Sequence, residues 1–287
     1  MDETTVAFWL GSYTPGPDGT GEDGGVGVRG LGRESGGGLV PVSQRTADSP
    51  SWVVQHPELS VVYAAEEFTG FVVAMSAAHT GALAALGAPV EVGGIVCHLS
   101  VSPDGGSLVA TCYGDGRVVV LPLEADGRLA GRAAELAPAH DPWGAPEVPM
   151  SSTEALGVLP GSGGDLLELS PFPAAPTSPV DEVRPSRAHS SRWLPDGRIG
   201  VIAGSAATAD GAEDGDAAAE ITVVGSREHL HTSVRGSNRI STLTIRGDGS
   251  ELRAVSDVES GGDRPRNHAE DGMVVHVANQ GSGTVDS

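Results

Sequence analysis

The stretch Cys97-His98-Leu99-Ser100-Val101-Ser102-Pro103-Asp104-Gly105-Gly106-Ser107-Leu108-Val109-Ala110-Thr111-Cys112 reads as a β-hairpin. Two runs of apolar and β-branched residues flank Pro-Asp-Gly, which supplies the restricted φ, local side-chain hydrogen bonding and positive φ that a tight turn needs. A third run, Arg117 to Leu123, follows a short polar break, and Ala125-Asp126-Gly127-Arg128-Leu129 closes the unit with a glycine-marked turn. The residues before it repeat the design. Ser51-Trp52-Val53-Val54 passes through Gln55-His56-Pro57-Glu58 into Ser60-Val61-Val62-Tyr63-Ala64-Ala65, then Gly70 to Met75, then His79-Thr80-Gly81-Ala82-Leu83. Trp52 and His98 occupy the same point in the two units, 46 residues apart.

Four short strands every 46 or so residues is the spacing of β-propeller blades. Further units begin at Ile221-Thr222-Val223-Val224, at Pro265-Arg266-Asn267-His268 and at Arg187-Ala188-His189-Ser190, and Val6 to Val42 reads as another. The expected fold is all-β: a β-propeller of four-stranded antiparallel blades, forming a single domain over residues 1–287. Two segments, about 131–185 and 203–219, lack strand periodicity and read as irregular or disordered insertions.

Composition agrees with this reading. The chain of 287 residues has 42 Gly and 20 Pro, so turn formers make up a little over one residue in five, while 39% of residues are hydrophobic and can build a core. The net charge of −21 comes from 38 acidic residues against 17 basic ones, and all 17 are arginine. Such a surface repels phosphate backbones and anionic lipid, which argues against nucleic acid and membranes as partners. No apolar stretch follows a basic N-terminus and no run approaches the length of a membrane span, so a cytoplasmic protein is expected. Cys97 and Cys112 are expected to face each other across the hairpin, where either a cross-strand disulfide or two reduced core thiols would fit.

At this point the units resemble a known family, the seven-bladed β-propeller lactonases, which include bacterial 6-phosphogluconolactonase and the fungal enzyme that cyclises carboxy-muconate. The resemblance is carried by Gly11-Ser12-Tyr13-Thr14, by Cys97-His98 with Ser102-Pro103-Asp104-Gly105, and by Ala188-His189-Ser190. Ser233-Val234-Arg235-Gly236-Ser237-Asn238, Gly262-Asp263-Arg264-Pro265-Arg266 and Val277-Ala278-Asn279-Gln280 complete it. Two departures stand out. Where the family has a full blade opening on Gly-Pro-Arg-His, this chain has only Gly200 to Ala219, and the last unit ends at Ser287 after its second recognisable strand.

The resemblance implies a lactonase acting on a small anionic sugar lactone, with residues that line a central channel. In the family a channel His, two Arg and a Glu are associated with activity. His189 matches the His and Arg266 one Arg, while the second Arg and the Glu belong to the absent blade. Glu67, ending the strand that begins at Tyr63, has a similar place in another blade and can contribute a carboxylate. His98 is a candidate for substrate binding alongside Arg266. Neutral histidine suits general-base work near pH 7, and the arginine fork suits an oxyanion or a carboxylate. No cofactor is called for. His229-Leu230-His231 sets two imidazoles on one strand face without an evident third ligand, so no metal is expected. A non-catalytic propeller serving as a ligand-binding or protein-interaction scaffold is the alternative, because the fold hosts many functions.

Overall fold

The computed structural model describes residues 6–15, 25–34, 38–112, 114, 117–131, 134–135, 166–170, 190–193, 199–203, 209, 216, 218–223, 229–246, 251–272 and 274–287. Every regular element among them is a β-strand. The chain divides into two compact units, Met1–Glu147 with Glu168–Ile202 and Val148–Leu167 with Ala203–Ser287.

In the first unit, β1 (Val6–Ser12), β2 (Gly27–Arg33) and β3 (Leu39–Arg45) form an antiparallel meander. A second sheet runs β4 (Pro50–Gln55), β5 (Val61–Glu66), β6 (Phe71–Ala77) and β7 (Leu83–Ala85), with β8 (Val90–Glu91) also pairing with β6. The third runs β9 (Val96–Val101), β10 (Ser107–Cys112), β11 (Val118–Pro122) and β12 (Ala134–Glu135). A further sheet has the order β13 (Leu166–Ser170), β15 (Ile199–Ala203), β14 (Ser190–Trp193). In the second unit β16 (Ala218–Val223), β17 (His229–Val234), β18 (Arg239–Arg246) and β19 (Glu251–Glu259) make a four-stranded meander. It is followed by β20 (Pro265–Asp271), β21 (Val274–Asn279) and β22 (Thr284–Asp286).

Within the first unit β4 lies beside β9 and β9 beside β14; within the second, β16 lies beside β20. Sequential meanders whose first strands are neighbours are the blade arrangement that the repeat implies. The last sheet has a third strand, β22, where the sequence announces none. Within 131–185 the structure likewise describes β12 and β13, which a Pro- and Ala-rich composition hides; the rest of that segment and most of 203–219 lie outside the described residues.

Strand β5 shows why the sheets stack. Val61, Tyr63 and Ala65 face a core shared with Val96, Leu99, Leu108, Ala110, Cys112, Val119 and Leu121 of the third sheet. The alternate residues Val62 and Ala64 face the other way, against Val28, Ala47 and Met75. Both faces are therefore apolar, and the run reads as a continuous hydrophobic strand rather than an alternating one. Each fully buried large apolar side chain contributes about 1.5–3 kcal/mol. Gly11 is required where β1 approaches the second sheet, since a Cβ there would stand 2.3 Å from the carbonyl oxygen of Pro50.

The first strands share a local device. In β4 the register passes from Pro50 opposite Glu66 to Trp52 opposite Ala65, leaving Ser51 as the extra residue of a β-bulge. In β9, Val96 faces Cys112 and His98 faces Thr111, leaving Cys97. In β20, Pro265 faces Asn279 and Asn267 faces Ala278, leaving Arg266. Two residues before each bulge the backbone is left-handed, at Ser49 (φ 48°), Ile95 (φ 50°) and Arg264 (φ 54°). Such a conformation costs of order 1–2 kcal/mol outside glycine, most for a β-branched side chain such as Ile95. Bulges of this kind re-aim a side chain at a strand end and are common beside functional sites.

The bulge also corrects the expectation for the cysteines. Cys112 lies opposite Val96 rather than Cys97, and neither cysteine forms a disulfide. Cys112 is buried in the apolar core, whereas the Cys97 Sγ–H points to the Thr111 carbonyl oxygen at 3.6 Å.

Candidate functional site

Each unit carries polar side chains on and just beyond its strands. In the first unit β1 leads into Tyr13 and β5 into Glu67. The Tyr13 hydroxyl donates to Glu67 Oε2 at 2.7 Å, and the Glu67 backbone N–H donates to the Ser49 carbonyl at 3.3 Å. Glu67 is buried, while the next residue, Phe68, is 52% exposed and stands 5.3 Å from the Tyr13 ring. Burial pushes the neighbouring Glu66 carboxyl above its ordinary range, an effect opposed by the hydrogen bond it accepts from the Asp48 N–H at 3.1 Å. His98, one residue beyond the β9 bulge, is buried with its ring 4.1 Å from that of Trp52.

In the second unit the facing strands β17 and β20 are joined by a polar ladder. Alternate residues of a strand share a face, so His231, Ser233 and Arg235 follow one another down one side of β17 and its turn, and Arg266, His268 and Glu270 down one side of β20. His231 Nδ1 stands 3.1 Å from Glu270 Oε1. Ser233 Oγ and His268 Nδ1 are hydrogen-bonded at 2.9 Å, both buried. At the end of the ladder Arg235 and Arg266 both donate to Gln280 Oε1, at 2.9 and 3.2 Å. The turn carrying Arg235 is braced by the Ser237 N–H donating to Asp216 Oδ1 at 2.6 Å and by Asn238 Nδ2 donating to Asp263 Oδ1 at 3.0 Å.

Of the residues expected from the sequence, Arg266 stands at the bulge of β20 beside a second arginine. Glu67 is held by a tyrosine, and His98 packs on a tryptophan. His189 lies outside the described residues. Reading the sequence missed Arg235, Gln280 and the Ser233–His268 pair as a constellation. The signal was present as the two alternating triplets, but their facing each other depends on how two sheets pack. Among the described residues no group of three or more His, Cys, Asp or Glu side chains is placed to hold a metal ion, and His231 turns to Glu270.

Comparison with known proteins gives the family of the chain. The model for "Lactonase, 7-bladed beta-propeller" matches residues 7–148 and 176–287. Among solved structures, a periplasmic gluconolactonase of Pseudomonas aeruginosa is 18% identical, with 97% of this chain and 93% of that one covered and a TM-score of 0.65. A putative 6-phosphogluconolactonase of Bacteroides uniformis is 19% identical over 100% of this chain and 95% of its own, with a TM-score of 0.66. One from Bacteroides fragilis is 17% identical over 99% and 94%, with a TM-score of 0.63. No curated protein is matched by the sequence. These solved structures share the β-propeller fold with the all-strand chain described above, and by the family match this protein belongs to the seven-bladed β-propeller lactonases.

Proposed function

We propose that this protein hydrolyses a sugar lactone of the 6-phosphogluconolactone or gluconolactone class, acting in the cytoplasm without a cofactor. The observation that carries the reading is the setting of Arg266: a strand bulge aims it, with a second guanidinium beside it, in a chain of net charge −21. An anionic substrate needs such a local concentration of positive charge to approach an acidic protein. Family membership supports the reaction class, and the likeness to a gluconolactonase and to putative 6-phosphogluconolactonases supports the substrate class.

In this mechanism His189, in its neutral form, takes a proton from water as the water oxygen bonds to the lactone carbonyl carbon. The carbonyl π electrons move onto oxygen, and Arg266 stabilises the resulting oxyanion or holds the substrate's anionic group. Collapse of the tetrahedral intermediate breaks the ring C–O bond. The proton held by His189 passes to the departing alkoxide, leaving the open hydroxy acid. The acid formed acidifies a weakly buffered solution, so release can be followed with a pH indicator. Hydrolysis well above the spontaneous rate is expected for one of the two lactones. A rate equal to that of buffer, from protein whose far-ultraviolet circular dichroism shows folded β-structure, refutes the proposal.

A further inference from the structure

Strand β17 carries His229 and His231 on either side of the buried Leu230, and both imidazole side chains are half-buried. His231 meets Glu270 of β20, and alternate residues of a strand share a face, so His229 is turned the same way. Residues two apart on a strand stand about 7 Å apart at Cα, and imidazoles leaning together from there can share one ion at metal–nitrogen distances of about 2.0–2.1 Å.

One of the two rings is already oriented. His231 Nδ1 stands 3.1 Å from Glu270 Oε1, and both atoms are buried. A carboxylate only accepts, so it holds the ring proton on Nδ1 and leaves the lone pair on Nε2. The exposed part of the His231 side chain lies away from Nδ1. There is also room for an ion. Ser233 meets His268 and His231 meets Glu270, so successive rungs step two residues outward along each strand. One rung further, His229 comes level with Gly272, in the turn after β20, where an added Cβ would meet nothing within 4 Å. The chain's net charge of −21 favours a cation.

We propose that His229 and His231 chelate a divalent late transition metal ion, with Glu270 as the positioning residue behind His231. Imidazole nitrogens suit copper, nickel and zinc rather than magnesium or calcium, and copper(II) binds most tightly of that series. Among the described residues no third His, Cys, Asp or Glu completes the set, so water fills the remaining positions. A carboxylate behind a metal-bound histidine fixes the ring and raises its basicity as a ligand. The inference is independent of the lactonase reading, whose steps use no ion.

Calorimetric titration of the full chain with copper(II) and with zinc(II), in a buffer that does not chelate, tests the site. Each ion should saturate one tight site per chain, copper the tighter. His229→Ala and His231→Gln each remove one arm of the chelate and should weaken that site by about tenfold or more. Glu270→Gln keeps both ligands and the side-chain size, and should weaken it about tenfold. His79→Ala, at an exposed turn of the first unit, should bind as the parent does. Electron paramagnetic resonance of the copper complex should show coupling to two imidazole nitrogens in the parent and to one in His229→Ala. The absence of a saturable site, or a parent spectrum with a single nitrogen, overturns the inference. So does parental affinity in His229→Ala, the variant that decides the matter if His231→Gln fails to fold. Parental affinity in Glu270→Gln refutes its positioning role.

Discussion

Trp52 and His98, the corresponding residues of two successive repeats, pack on each other with ring centroids 4.1 Å apart and planes tilted by 52°. The repeat that sets them 46 residues apart in sequence brings them together because β4 and β9 are neighbouring first strands. Trp52 also borders the apolar core between the second and third sheets. Trp52→Ala should therefore cost about 3 kcal/mol of unfolding free energy, and Trp52→Phe clearly less, as read from urea titrations.

His56 ties the same two sheets together at their turns. Its Nδ1 accepts from the N–H groups of Glu58 and Leu59 at 3.1 and 3.0 Å, which leaves Nε2–H to donate to the Gly105 carbonyl at 3.1 Å. Gly105 has φ +68°, and a Cβ there would stand 2.5 Å from the His56 ring. His56→Ala and Gly105→Ala should each cost about 2 kcal/mol. In the double variant the losses should fall short of additive, since both remove one contact; strict additivity would show that the two turns are independent.

Tyr63 is buried and donates to the Gly127 carbonyl at 2.6 Å. Burial, with a smaller push from the Asp126 charge, raises its phenol to about 12 from 10.0. The unfolded chain then ionises Tyr63 before the folded one does. This contribution to stability is fully present below pH 10 and is lost as the pH rises to about 12. Tyr63 should titrate late at 295 nm in the folded protein and at its ordinary pH in urea. Tyr63→Phe should remove that late titration and cost about 1 kcal/mol at neutral pH.

The thiols should differ in access. Cys112 is fully buried and Cys97 only partly, so a thiol reagent should modify at most one cysteine in native protein and both in denaturant. Non-reducing electrophoresis and mass analysis should find no internal disulfide. A mass two hydrogens short of the reduced chain would contradict the register of β9 on β10.

For the proposed reaction, His189→Ala should lower kcat/KM by about 10²–10⁴-fold and Arg266→Ala by about 10²-fold or more. Arg266→Ala should leave the urea midpoint within the equivalent of about 1 kcal/mol, because its side chain is only part-buried. Parental activity in either variant removes that residue from the mechanism.

The sequence by itself determined the repeat and the strands and turns of its regular units, though not β12, β13 or β22. Pro-Asp-Gly at 103–105 and the apolar runs on either side act within about ten residues, through backbone preference and period-two patterning, and they need no distant partner. It also marked Arg266, through the motif around it. Only the tertiary structure decided which side chains meet. A single extra residue in β9 moved Cys112 from Cys97 to Val96, and the same device in β20 aimed Arg266 toward Gln280 and Arg235. A bulge adds one residue without changing the apolar pattern by which a strand is recognised, so its position is invisible in composition. Contacts such as Ser233 with His268 form between sheets whose spacing is set by packing. Local preference therefore makes the blades, and the side-chain partnerships at their ends are made when the sheets stack.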